Sequence, residues 1–158
     1  MPSKEFTPYA VVPKRKQEYP SSIKDIANAA AGIAEGTYSS KEQWQGKGDA
    51  LRHIVWQAMM AKKYGNTLAN AAGQYHELGL GKRFKAADPN QSDAEKEQDL
   101  YNNTIGREIA AKATSIEDIY RLAKEAVEKG QAKYLTPEEM QYQAALRDLE
   151  IEQSRVQY

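Results

Sequence analysis

No stretch of this sequence carries the bounded, β-branched alternation of a strand, whereas helix-start and helix-stop signals recur along most of it. Ser22, with Asp25 three residues later, reads as a capping box. It opens a helix through Ala34 that carries Ile23, Ile26, Ala27, Ala30 and Ile33, with Gly36 near its end. A short turn from Ser39 to Trp44 leads to a break at Gly46 to Gly48. A stronger helix follows from Asp49 to Tyr64, with Leu51, Ile54, Val55, Ala58 and Met59 at helical spacing. Gly65 suits its terminator, and Asn66 caps the next helix, Thr67 to Leu78. A polar loop then holds Gly79, Gly81 and the turn former Asp88-Pro89-Asn90. Helix resumes from Asp93 to Ala113, and again from the Ser115/Asp118 cap to Gly130. Thr136-Pro137-Glu138-Glu139 starts the last helix, which reaches Glu152 or beyond. The expectation is an all-α fold: a compact single domain of five or six helices.

At 158 residues the chain has room for one ordinary domain with a real core. Residues 1–20 stand apart, because Pro2, Pro8, Pro13 and Pro20 forbid a long helix and favour an extended arm. The helical domain is therefore placed at 21–158. Acidic and basic side chains cancel at 22 each, which argues against a uniformly basic face for nucleic acid or anionic lipid. With no cysteine there is no disulfide framework, thiolate nucleophile or thiolate-held metal. Nothing approaches the roughly 20-residue apolar run that spans a bilayer, and the first twenty residues lack a signal-peptide core. The expectation is a soluble protein without membrane insertion: cytoplasmic, virion-associated or delivered by a dedicated machine.

Both histidines, His53 and His76, fall inside otherwise apolar helices. Asp49 and His53 are four residues apart and share a helix face bordered by Arg52, with Trp56 one turn on to wall it. The apolar stripe through Leu51, Ile54, Val55 and Ala58 lies elsewhere, so this polar pair has its own side of the helix. His76 and Glu77 close the following helix, and Asp99, Asn102, Asn103 and Gly106 occupy one broad side of the next. Successive antiparallel helices can bring these groups together. Two histidines and one or two acids suffice for a divalent ion, and an open coordination position can activate water. The bland alternative is a hydrogen-bonded network that fixes helix register. Exposure separates the two: an open cleft favours chemistry, and full enclosure with every donor satisfied favours structure.

The segments DALRHIVWQAMMAKKYG (49–65), YHELG (75–79) and DLYNNTIGREIA (99–110) resemble a largely uncharacterised family of small helical domains in bacterial and phage proteins. Such domains sit at the ends of some polymorphic-toxin or cell-surface proteins. The resemblance covers about 60 residues and implies a common active or binding site without fixing its reaction. It aligns Asp49, Arg52, His53, Trp56, His76, Glu77, Asp99, Asn102, Asn103, Gly106 and Arg107 with the family's recurrent polar and small positions. A second, weaker likeness is to HD-type metal phosphohydrolases, in which a histidine, a histidine–aspartate pair and a later aspartate hold the metal. Here His53, His76 and Asp99 follow that order, but Glu77 stands where the aspartate belongs.

The functional expectation is a metal-assisted hydrolase, with a phosphodiester or phosphate ester favoured and cell-wall peptidoglycan the competing substrate. His53, His76 and Asp99, with Asp49, would hold a divalent ion: zinc, manganese, magnesium or nickel. Glu77 would take the proton from water, Arg52 or Arg107 would neutralise charge on the substrate, and Asn103 would orient it. The non-enzymatic alternative is a structural or partner-binding module of a phage particle or effector system. Ten tyrosines, the arm at 1–20 and the last helix offer it contact surface.

Overall fold

The computed structural model describes residues 19–77 and 93–156, with the side chains of Glu77 and Asp93 outside that set. Among the described residues six α-helices follow one another: α1 (Ile23–Thr37), α2 (Lys47–Tyr64), α3 (Asn66–Glu77), α4 (Asp93–Lys112), α5 (Ile116–Glu128) and α6 (Pro137–Val156). A 3₁₀ turn, Ser40–Glu42, separates α1 from α2, and no strand occurs among the described residues. The fold is all-α, as the cap signals and apolar spacing require.

Local chemistry sets most helix ends. Ser22 accepts the Asp25 N–H at 3.1 Å while the Asp25 carboxylate takes the Ser22 N–H at 3.2 Å, which closes the capping box of α1. That helix runs past Ala34 and through Gly36 to Thr37, whose hydroxyl donates to the Ile33 carbonyl at 2.6 Å. α2 begins at Lys47 rather than Asp49, because Gly46 takes the extended cap position. Gly65 ends it at a φ of 87°, a region that costs a residue with a Cβ. Ser115 caps α5 through the Asp118 N–H as its sequence indicates.

α2 is the central helix, with twelve of its eighteen residues buried. It packs against α1, α3, α4 and α5, so Leu51, Ile54, Val55, Met59 and Met60 meet Ile26, Ile109, Ile119 and Val127 in one core. Each such side chain contributes roughly 1.5–3 kcal/mol on burial. A helix buried on most sides should be apolar all round. α2 instead buries Asp49, His53 and Gln57 at four-residue intervals, a polar stripe on one face.

The contacts give the directions. Asp49 and His53 near Asp99, Gln57 near Arg107 and Lys62 near Ala110 make α2 and α4 parallel. α3 runs antiparallel to both and packs against each, with Ala69 against Gln57 and His76 beside His53. Residues 1–18 of the expected arm and the Asp88-Pro89-Asn90 turn lie outside the described residues. Tyr19 and Pro20 are tied to the far end of α2: the Tyr19 hydroxyl donates to the Met59 carbonyl at 2.6 Å, and Lys63 donates to the Pro20 carbonyl. α6 buries none of its residues. Arg147 fastens it, 2.6 Å from Glu95 and with its guanidinium 4.6 Å from the Trp44 ring centre.

Candidate metal centre

Three polar layers stack between α2 and α4, one helical turn apart. Asp49 and Asp99 form the first, His53 and Asn103 the second, and Gln57 and Arg107 the third. The helices come this close because position 106 has no side chain. A Cβ there would strike the Ile54 carbonyl oxygen and stand 2.8 Å from the Gln57 Cβ. Gly106 thus sets the spacing at which the opposed side chains meet.

His53 is the focus of the arrangement. Its Nε2 lies 3.4 Å from Asp99 Oδ1 and 3.7 Å from Asp49 Oδ1, and its Nδ1 lies 3.3 Å from the Asn103 amide oxygen. Burial pushes its pKa down to about 4, against the opposing pull of Asp49, so near neutral pH the ring is uncharged with one N–H. The Asn103 oxygen at Nδ1 and the carboxylates at Nε2 compete for that proton; when Nδ1 carries it, the Nε2 lone pair faces Asp49 and Asp99. A cation between these three groups turns the repulsion into coordination.

The distances suit such an ion. One donor atom from each of Asp49, His53 and Asp99 lies within 4.8 Å of the other two, and all three residues are buried. Zinc held at about 2.0–2.1 Å in a tetrahedron separates its ligands by about 3.4 Å, close to both separations seen from Nε2. One nitrogen and two carboxylates are also acceptable to manganese or magnesium. A buried Asp49–His53–Asp99 group that could hold a metal ion is therefore present.

The remaining expected site residues are distributed around this group. Arg52, half-exposed, donates to Asp49 Oδ1, and the backbone N–H of Gln45 donates to Asp49 Oδ2 at 3.1 Å. His76 is exposed on α3, its ring centre 6.3 Å from that of His53 and 5.6 Å from that of Trp56. It borders the three-residue group without belonging to it. The Trp56 ring stands against His76. The Glu77 side chain lies outside the described residues. Arg107 donates to Gln57 Oε1 and to Thr104 Oγ1, each at 3.1 Å, which holds its guanidinium two layers away from the carboxylates. Partial burial lowers its pKa.

Asn102 and Asn103 are adjacent in sequence but about 100° apart around α4, and they separate in role. Asn103 is wholly buried behind His53, a position from which it orients the ring rather than a substrate. Asn102 turns away and bonds the backbone at Lys133. Gln45 and Gln57 were not among the sequence candidates. Gln57 falls four residues after His53, a spacing that places it on the same stripe. Gln45 carries no such signal: it is buried at a φ of 55°, a left-handed conformation unfavourable for glutamine. It uses both backbone groups: its N–H donates to Asp49, and its carbonyl accepts the Leu135 N–H at 2.7 Å.

The fold and the site together define an all-helical domain built around a buried histidine with two facing aspartates. Residues 13–133 match a family described as a domain of unknown function (DUF6973), and the chain belongs to that family. The match contains every residue of the three polar layers and stops before α6. No curated protein and no solved structure matches the chain.

Proposed function

We propose that this domain is a divalent-metal-dependent hydrolase, with phosphodiesters the favoured substrates. One observation carries the reading: His53 Nε2 faces Asp49 and Asp99 at ligand-like separations while its Nδ1 is backed by Asn103. A bound ion would supply Lewis-acid polarisation and an activated water. Asp49, His53 and Asp99 hold it, and His76 stands at the exposed side, where it meets an incoming substrate or completes the ligand set. Arg52 pairs with Asp49 and places positive charge at the rim, where an anionic substrate is stabilised. Glu77 is the reserve base next in sequence to His76. The resemblance to toxin-like bacterial and phage domains supports an effector role, and peptidoglycan is the competing substrate.

The test joins metal analysis to turnover. Purified wild type is expected to retain or rebind about one ion per chain and to cleave bis(p-nitrophenyl) phosphate, and Asp99→Asn to lose both. No binding of zinc, manganese, magnesium or nickel sinks the reading. Metal binding without phosphodiester cleavage redirects the assay to peptidoglycan.

One observation favours a second, non-enzymatic reading. Both Asp49 oxygens already have donors, Arg52 and the Gln45 N–H, as in a network that fixes helix register. Under it, His53→Gln lowers stability by the same amount with or without metal ions present.

A further inference from the structure

Asn103 is fully buried, and its Nδ2 has no hydrogen-bond partner among the described residues. That is a costly way to place a side-chain amide. The oxygen end faces His53 Nδ1 at 3.3 Å, and the nitrogen end points toward α3, where a Cβ on Gly73 would stand 3.1 Å from it. The two ends of an asparagine amide are nearly the same size, so a half-turn exchanges them without changing the packing. In the turned position Nδ2 donates to Nδ1. The ring proton then resides on Nε2, where Asp99 Oδ1 at 3.4 Å accepts it. Each amide orientation thus permits one tautomer of His53, and only one of the two directs the Nε2 lone pair between the aspartates.

We infer that Asn103 is a two-position positioning residue that couples the His53 tautomer to occupancy of the Asp49–His53–Asp99 group by a divalent cation. The inference rests on the metal reading above. Without a cation, the turned amide gives Nδ2 a partner and lets Nε2–H bond Asp99. With one, the amide stands as observed, Nδ1–H donates to Asn103 Oδ1, and the Nε2 lone pair is directed between Asp49 and Asp99. The ring keeps its one proton, moved from Nε2 to Nδ1 by exchange with water, so His53 releases none. Gly73 makes the turn feasible, because a methyl at that position would press on the swinging amide and on Gln57.

The experiment is nitrogen-15 NMR of histidine-labelled protein, metal-free and zinc-loaded, with His76→Asn used to assign the His53 signals. The expected result is an Nε2-protonated ring in the metal-free protein and an Nδ1-protonated ring with zinc. Asn103→Asp can only accept, so it should hold the Nδ1-protonated form in both states and bind zinc at least as tightly as wild type. Asn103→Leu should bind zinc about 10- to 100-fold more weakly. Zinc that binds wild type with the tautomer unchanged overturns the coupling alone. Zinc that does not bind at all overturns the metal reading and the coupling together. The Asp variant keeps the test decisive should the leucine variant fail to fold.

Discussion

Asn102 holds the backbone of Lys133 with both ends of its amide: Nδ2 donates to the carbonyl at 2.7 Å, and Oδ1 accepts the N–H at 2.9 Å. The side chain is fully buried, and this double bond fastens the segment after α5 against α4. Asn102→Ala leaves both backbone groups without partners, each costing roughly 1–3 kcal/mol if water cannot reach it. Urea unfolding is expected to show a loss of at least about 2 kcal/mol with zinc affinity unchanged. A loss of metal binding larger than the loss of stability would place Asn102 in the site instead.

Two glycines should respond in opposite directions to the same change. At Gly106 an added methyl meets the Ile54 carbonyl and the Gln57 Cβ, so α2 and α4 must separate. The gain of about 1 kcal/mol in helix propensity is outweighed by an overpacking cost of about 1–3 kcal/mol or more. Gly106→Ala is expected to lower the Tm and weaken metal binding. Gly32, exposed on α1 with nothing within 4 Å of the same methyl, should gain up to about 1 kcal/mol on becoming alanine. Paired thermal melts check both.

A ligand that binds only the folded state stabilises it by mass action, about 2.7 kcal/mol at a hundred times Kd. Zinc or manganese is therefore expected to raise the wild-type Tm by several degrees. His53→Gln and Asp99→Asn should remove the shift. Equal shifts in all three proteins would mean that the ions bind elsewhere.

The acid side of the stability profile depends in part on Glu128. The Tyr38 hydroxyl, and Lys47 after it, hold this carboxyl below its ordinary value of 4.5. A group with a lowered folded-state pKa contributes stability that is present above the unfolded value and lost as pH falls through the folded one. Glu128→Gln is therefore expected to flatten the stability profile below about pH 4.5. It should leave the slope near pH 7 unaltered. Urea midpoints measured between about pH 3 and pH 7 read the difference.

Since α6 buries nothing and is fastened by Arg147, a chain ending after Thr136 should still unfold cooperatively. The expected loss is about 1 kcal/mol, the scale of one cation–π contact and one ion pair near a surface. Calorimetry of the shortened chain, with and without zinc, checks stability and binding together.

What the sequence disclosed follows the range of the forces involved. Caps such as Ser22/Asp25 and stops such as Gly65 act within a turn, so helix identity was legible. The faces of α2 and α4 were legible too, because Asp49 and His53 share one by spacing alone. Which carboxylate crosses to which ring depends on helices fifty residues apart, and there the reading was coarser. His76 carries the right atoms yet projects to the exposed side of α3. Asn102 and Asn103 read as one feature, although helical rotation sends them to different neighbours. Gln45 was illegible for a stronger reason: its left-handed backbone is imposed by tertiary bonds to Asp49 and Leu135, against its own preference.

That residue joins two parts of the molecule that the helices keep apart. The N–H of Gln45 bears on a carboxylate of the site, and its carbonyl bears on the peptide that leads into α6. A displacement of α6 that passes the Arg147 contacts is thereby carried through Leu135 to the backbone beside Asp49. Mechanically, the handle and the Asp49–His53–Asp99 group hang from the same peg.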